Sequence, residues 1–276
     1  MQFRGITAPA RWTFLPIWTR AQYARAVRRA AMLFPGPYPT DIPGLGAMLL
    51  SPGDFIDSRI ACFHVWEPEI TAFIKAHLKP DRVAVDIGAN IGYFTIVMSR
   101  VARQVYAVEP CPPTLEKLDW TVKHNGLSNV QVLPYGISDR AERRAMTYDR
   151  HNSGRNAFAE PAADGIELRR FEDLIPAEDL PDVSLIKIDV EGMEGPVMRD
   201  IASVVPKMAP DLVIVCEAWS DGTPLDWLPL YLEQGFRPFR IPNSYGFDHY
   251  ARATIADPAP YVDGHEGIHD IALIRA

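Results

Sequence analysis

The sequence predicts an α/β fold of Rossmann-like type, with an open, mostly parallel sheet and helices on both faces. Three observations carry this. Short apolar runs ending in an acid recur four times, at residues 83–86, 104–109, 184–189 and 211–217. Unbroken apolar runs are how strands buried on both faces read. Helical spacings separate the runs, and the first run opens into Gly88-Ala89-Asn90-Ile91-Gly92 before a helical pattern through Ile91, Phe94, Thr95 and Met98. Strand, glycine turn and helix form the start of a nucleotide-binding βαβ unit.

The chain divides into a basic arm over residues 1–44 and one domain over 45–276. Residues 1–40 hold six arginines and no acid, whereas the rest carries 22 basic against 35 acidic side chains. Thr19 can cap a helix running to about Phe34, and Pro35 to Pro39 then break the chain. The arm is read as a helix docked on its own acidic domain or on a sister subunit; a membrane-surface helix is the rival. Residues 47–50 read as a short strand and Glu67–Leu78 as an amphipathic helix leading into the first apolar run. His64 and His77 read as loop or helix residues rather than ligands. Pro112 to Asn125 is the next helix, stopped by Gly126, and Val130 to Leu133 a third strand. Residues 149–165 lack apolar periodicity and predict a binding or lid loop. After the 184–189 strand, Met193 to Val204 is helical in pattern. A helix near Pro224 to Gln234 and strands at Phe236–Ile241 and Ile268–Arg275 complete a seven-stranded sheet, the last two forming a hairpin at one edge.

The bulk numbers narrow the function. At 276 residues and 47% apolar, the chain can bury one sizeable core. A net charge of -7 and a pI near 5.5 argue against a nucleic-acid enzyme, which carries a basic field. Cys62, Cys111 and Cys216 are far apart and odd in number, so neither a disulfide framework nor a zinc site is indicated. A reducing, cytoplasmic setting is the expectation. No apolar run approaches the roughly 18 residues of a membrane span.

The turn is more specific. A dinucleotide fingerprint wants Gly-x-Gly-x-x-Gly, and Asn90 stands where a glycine is needed. Asp86 would repel a pyrophosphate but attract an ammonium group, so the turn reads as a site for S-adenosylmethionine (SAM). Glycine suits a turn approached closely by a ligand, and the helix start offers free N–H groups. An ordinary capped strand-to-helix turn is the plainer alternative. Glu109 lies 21 residues beyond Gly88, near the spacing of the acid that binds ribose hydroxyls, where it could bind bidentately. Asp139 reads either as an acceptor for the adenine amino group or as a turn cap.

The residues VAVDIGANIGYFT (83–95), VYAVEP (105–110), HNGLSNV (124–130), GISD (136–139), NSG (152–154), FEDL (171–174) and IKIDVEGMEG (186–195) resemble the FkbM-type SAM-dependent methyltransferases. WEPE (66–69) and GFRPF (235–239) are also similar. The resemblance spans roughly residues 45–276 and implies a class I methyltransferase fold: seven strands, the last antiparallel, with SAM as donor. It further implies O-methylation of a hydroxyl on a sugar, polyketide or other small secondary metabolite. N-methylation of an amine and a non-catalytic SAM-binding protein are the rivals.

In the expected arrangement Asp86, Gly88, Ala89 and Asn90 hold the methionine part of SAM. Glu109 with Pro110 holds the ribose, and Ser138 and Asp139 border the adenine. Tyr93 or Phe94 would face the sulfonium as a cation–π contact. An alcohol needs help in losing its proton, so Asp189, Glu191 and His151 are the candidate catalytic residues, with His249 and His265 as further neutral bases. No metal is assigned; a divalent ion on Asp189, Glu191 and Glu217 is a rival arrangement that is not favoured. The expected partner is a small-molecule acceptor, with no nucleic acid. The arm makes any membrane or subunit contact, and a homo-oligomer is compatible with it.

Overall fold

The computed structural model describes residues 36–149, 151–221, 225–251, 255–261 and 266–275, with positions 19, 22, 25, 26 and 29. The helix expected from Thr19 to Phe34 lies outside the described residues except at those five positions, whose backbone is helical. Arg25 among them pairs with Asp248 at 3.0 Å.

The chain opens with the hairpin β1 (Tyr38–Ile42) and β2 (Gly46–Leu50). The division expected at 44/45 falls in the turn of this hairpin, which pairs from Tyr38 with Leu50 to Ile42 with Gly46. Helix α1 (Phe55–Phe63) follows. Asp54 starts it by accepting from the backbone N–H groups of Ile56 and Asp57, the usual service of an N-cap acid. Helix α2 (Pro68–His77) begins with proline in its first turn.

The central sheet then starts. Strand β3 (Val83–Ile87), helix α3 (Tyr93–Ser99), strand β4 (Gln104–Val108), helix α4 (Pro112–His124) and strand β5 (Val130–Leu133) alternate as the apolar runs require. After an inserted segment come β10 (Val183–Ile188), α6 (Glu194–Val204) and β11 (Val213–Asp221). The tail holds α7 (Leu228–Leu232), β12 (Phe236–Ile241), α8 (Phe247–Tyr250), β13 (Ala259–Pro260) and β14 (Glu266–Arg275). The insert itself comprises β6 (Gly136–Ile137), β7 (Glu142–Thr147), β8 (Ala157–Pro161), β9 (Ile166–Arg169) and α5 (Phe171–Leu174).

The sheet order is β13-β12-β14-β11-β10-β3-β4-β5. Strands β11, β10, β3, β4 and β5 pair in parallel, and β14 is antiparallel to both β11 and β12. The expected antiparallel last strand is therefore present, inserted between β11 and β12. The count rises from seven to eight, because two residues of β13 pair along the β12 edge. Alternate residues of each central strand feed different layers. Val83, Val85 and Ile87 pack with Val197, Met198 and Ile201 of α6, while Ala84 packs with Ile70 and Ile74 of α2 and Ile96 of α3. Burying each such side chain contributes roughly 1.5–3 kcal/mol.

The polar stretch 149–165 is not a plain loop. Residues 157–161 form β8, which joins β6, β7 and β9 in a second, four-stranded sheet of order β6-β9-β7-β8. The remainder folds back on α1: the backbone N–H of Ser153 donates to Asp54 Oδ2 at 2.7 Å and that of Phe55 to the His151 carbonyl at 2.9 Å. Asp54 thus caps a helix and holds a loop at once. The cysteines Cys62, Cys111 and Cys216 are free and buried. No helix among the described residues is long and apolar enough to cross a membrane.

Candidate active site

Parallel strands present their carboxyl ends on one rim, where Asp86, Glu109, Asp189 and Glu217 end or follow β3, β4, β10 and lie within β11. Two hollows open there, and they share Gly154, Asp189 and Glu191.

The first is a narrow cleft of about 50 Å³ between the β3–α3 turn and the second sheet. Gly88, Asn90, Glu109, Pro110, Tyr135 and Phe158 are among the residues that line it. Asn90 sits in the left-handed region at φ 49°. Gly88 (φ 75°) is needed because the backbone of the neighbouring strand comes close: a Cβ there would meet the Asp189 carbonyl oxygen at 1.8 Å. Glu109 is already well supplied with donors. Its Oε1 accepts from the Cys111 N–H and the Thr114 hydroxyl, and its Oε2 from the Asn90 N–H, at 2.7–2.8 Å. With three of about four lone-pair sites filled, one acceptor position remains on Oε2. Burial raises the Glu109 carboxyl above its ordinary range.

Asp86 is buried one layer behind this cleft. Thr95 donates to its Oδ2 at 2.6 Å, and its Oδ1 has no hydrogen-bond partner among the described residues. Burial raises its carboxyl, against the opposing pull of Lys187. Lys187 is a charged residue inside the apolar β10 run. It pairs with Asp189 at 3.0 Å and stands 4.9 Å from the centre of the Phe94 ring. Burial disfavours its charge, but the carboxylates of Asp189, Asp86 and Glu67 outweigh burial and hold the ammonium charged. The cation on Phe94 is therefore Lys187, and neither Phe94 nor Tyr93 lines either hollow. Tyr93 packs edge-on against Phe94 at 5.2 Å.

The second hollow is a cavity of about 380 Å³ between α1, the 149–155 segment and the tail. Trp66 and Tyr245 form a stacked pair in its wall, 5.5 Å apart and 14° from parallel, with Phe55 edge-on to both. Glu67, Asp149, Asp189, Glu191 and Glu217 bring carboxyl groups to it, and Arg155 a guanidinium. Glu191, with left-handed backbone at φ 46°, is pushed up to about 8 by burial and then by the Asp189 and Glu194 carboxylates. Burial and neighbouring acids also raise Glu67, Glu217 and Asp270. Oxygens of Asp189, Glu191 and Glu217 come within 4.8 Å of one another, a donor set that hard cations accept.

The remaining expected site residues fall elsewhere. Ala89 is packed against Ala107 and Leu118, its N–H bonded to the Val108 carbonyl. Ser138 is buried and Asp139 faces Arg199 at 3.7 Å; neither lines the cleft. Tyr135, Gly136 and Ile137 line it instead, while the Ser138 N–H continues the pairing with β9 by donating to the Arg169 carbonyl at 3.0 Å. His151 lines the second cavity, whereas His249 is bonded to Glu69 at 2.9 Å. His265 lies outside the described residues. Sequence reasoning gave no role to Glu67, Lys187, Trp66 or Tyr245. A lysine within a fully buried strand and the WEPE stretch were the signals available for the first three; nothing local marks Tyr245, which bonds Glu67 from 178 positions away.

With this geometry in hand, the family described as the methyltransferase FkbM domain matches residues 86–238, more than half of the chain. Among curated proteins, methyltransferase sdnD of Sordaria araneosa is 28% identical over 52% of this chain and 69% of its own length. The hexuronic acid methyltransferase AglP of Haloferax volcanii is 24% identical over 50% of this chain and 58% of its own. Among solved structures, methyltransferase FkbM from Methylobacillus flagellatus superposes with a TM-score of 0.51 at 16% identity, over 77% of this chain and 49% of that one.

Proposed function

The chain belongs to the FkbM methyltransferase family and has the class I methyltransferase fold, and from that premise we propose that it transfers a methyl group from SAM to a hydroxyl of a small acceptor. The observation that carries this reading is the meeting of two hollows at Gly154, Asp189 and Glu191, one for a donor and one for an acceptor.

The residues present fit SAM. The single free site on Glu109 Oε2 suits a ribose hydroxyl, and Tyr135 and Phe158 offer faces to adenine. SAM supplies an activated methyl on a sulfonium. The protein then has to align the acceptor oxygen opposite the leaving sulfur and accept one proton. Glu191, on the border of the two hollows, would take the proton of the acceptor hydroxyl. Its carboxyl near 8 is matched to a base working at neutral to mildly alkaline pH. Asp189, fixed by Lys187, positions the acceptor. His151 is the second candidate base on the cavity wall.

N-methylation of an amine is the rival that one observation favours, the excess of carboxyl groups around the second cavity. Incubation with methyl-labelled SAM and matched alcohols and amines separates them: label in an acid-stable ether supports O-transfer, label on nitrogen supports the rival, and no label on any acceptor counts against catalysis.

A further inference from the structure

The first cleft encloses about 50 Å³, whereas sites that hold a small molecule enclose about 300–1,000 Å³. Something in its lining has to move for a methyl donor to enter. Strands β3 and β4 are locked into the central sheet. Ser153, Gly154 and Asn156, which also line the cleft, lie instead in and after a short 3₁₀ turn. The stretch 151–156 is bonded within itself, Arg155 N–H to the Asn152 carbonyl at 2.9 Å and Asn156 N–H to the Ser153 carbonyl at 3.3 Å. It is tied to the start of α1 by the Ser153 N–H on Asp54 Oδ2 at 2.7 Å and by the Phe55 N–H on the His151 carbonyl at 2.9 Å. Asn156 Nδ2 adds a contact to Cys111 Sγ at 3.2 Å.

Asp54 divides its two oxygens between two tasks. Oδ1 caps α1 through the N–H groups of Ile56 and Asp57, and Oδ2 takes Ser153. The residue is only 4% exposed, which shields these bonds from competing water. Phe55 and Ile56, next along α1, line the second cavity. A Cβ on Gly154 would stand 3.0 Å from Ile56 Cδ1 and 3.6 Å from Glu191 Oε1. The stretch is therefore seated between the helix that lines the acceptor cavity and the carboxyl on the border. Ser153 Oγ and Asn90 Oδ1, in residues that line the cleft, are buried and have no hydrogen-bond partner among the described residues. Such groups are costly to hold, and displacing the stretch uncovers them.

We infer that residues 151–156 form a gate over the methyl-donor cleft and that Asp54 is its latch, a positioning residue that returns the gate to its seat between Ile56 and Glu191. The inference rests on reading the first cleft as the methyl-donor site and adds how the donor enters it. Opening breaks the bonds from Ser153 and Phe55 and widens the cleft. Reclosing restores the lining that the two hollows share at Gly154. The latch holds the free and the occupied protein alike, so it governs how fast the methyl donor exchanges more than how tightly it binds.

Asp54→Asn separates latch from cap. Asparagine caps a helix about as well as aspartate, but only one of its two side-chain atoms accepts, so keeping the cap gives up Ser153. Stopped-flow tryptophan fluorescence and calorimetry of the full chain with S-adenosylhomocysteine read the result. The wild-type association rate should level off with rising ligand concentration, at the rate of opening. In Asp54→Asn, association and dissociation should both quicken by about tenfold, with Kd within about threefold of wild type. A wild-type rate that climbs in proportion to concentration throughout overturns the inference. So do variant rates within about twofold of wild type, or weaker binding through dissociation alone. The wild-type series stands even if the variant fails to fold. Failure of the wild-type chain to bind S-adenosylhomocysteine would sink the methyl-donor reading instead, and hydrogen exchange of the ligand-free chain would still decide the gate. Residues 151–156 should then exchange together, about 100-fold or more faster than β3 and β4; equal protection overturns the inference.

Discussion

The two hollows present carboxyl groups in opposite conditions. In the first, Glu109 has three donors from its own surroundings, all within 2.8 Å. In the second, Glu67 and Glu217 are held by side chains distant in the chain, both by the Tyr245 hydroxyl and Glu67 also by Asn243. A carboxylate bonded by local N–H groups is fixed before any ligand arrives, and it shapes the Gly88–Asn90 turn. A carboxyl held by side chains from the far end of the chain depends on that packing for its position. The first hollow is thus built like a template from local backbone donors and the second from long-range side-chain contacts, with Asp189 and Glu191 on the border.

The border carries the largest expected effect. Glu191→Gln should lower the transfer rate by about 10²–10⁴-fold, the usual worth of a general base, and leave S-adenosylhomocysteine affinity close to wild type. Because the Glu191 carboxyl is raised to about 8, it is protonated and idle at pH 6. In the wild type, kcat/KM should therefore climb with pH through that value, and the climb should vanish in the variant. A variant within fivefold of wild type would move the base to His151 and blur the contrast between border and walls.

Next comes the cation beneath the border. Lys187→Met removes the buried ammonium facing Asp86, Asp189 and Glu67. Leaving such charges unpaired costs about 3–5 kcal/mol, measurable by urea unfolding. The sign with pH follows from Asp86: once protonated it needs no counter-charge, so the deficit should shrink as pH falls and widen as it rises. A deficit independent of pH would show that Lys187 acts through packing alone.

The smallest effect belongs to the template side. Glu109→Gln replaces an oxygen by an amide nitrogen that cannot accept, at the cost of about one hydrogen bond, 0.5–1.5 kcal/mol. S-adenosylhomocysteine should bind roughly tenfold more weakly by calorimetry. Unchanged affinity would make Glu109 a purely structural cap on the turn.

Much of this frame was legible in the chain itself. Strands β3, β4, β10 and β11 are buried on both faces, so each reads as an uninterrupted apolar run, and the acids that close them locate the rim. The second sheet was hidden for the converse reason. β7 is Glu-Arg-Arg-Ala-Met-Thr and half exposed, so its strand character comes from pairing with β8 and β9 rather than from any local pattern. That hidden sheet keeps Ser138 along β9 and leaves Tyr135, Gly136 and Ile137 to line the cleft. The Lys187 ammonium over Phe94 has no local signature, because the two residues are distant in the chain and meet only once β10 lies beside β3. The donor side was readable from a turn; the acceptor side is assembled from α2, the 149–155 segment and the tail, and such an assembly has no local signature.

The central claim is that donor and acceptor meet across Gly154, Asp189 and Glu191. A crystal structure with S-adenosylhomocysteine tests it most directly. The account predicts adenosine against Glu109, Tyr135 and Phe158 in a widened first cleft, with the sulfur opening onto Asp189 and Glu191. A homocysteine sulfur facing away from that border, or the ligand lodged in the second cavity against Trp66 and Tyr245, would contradict it.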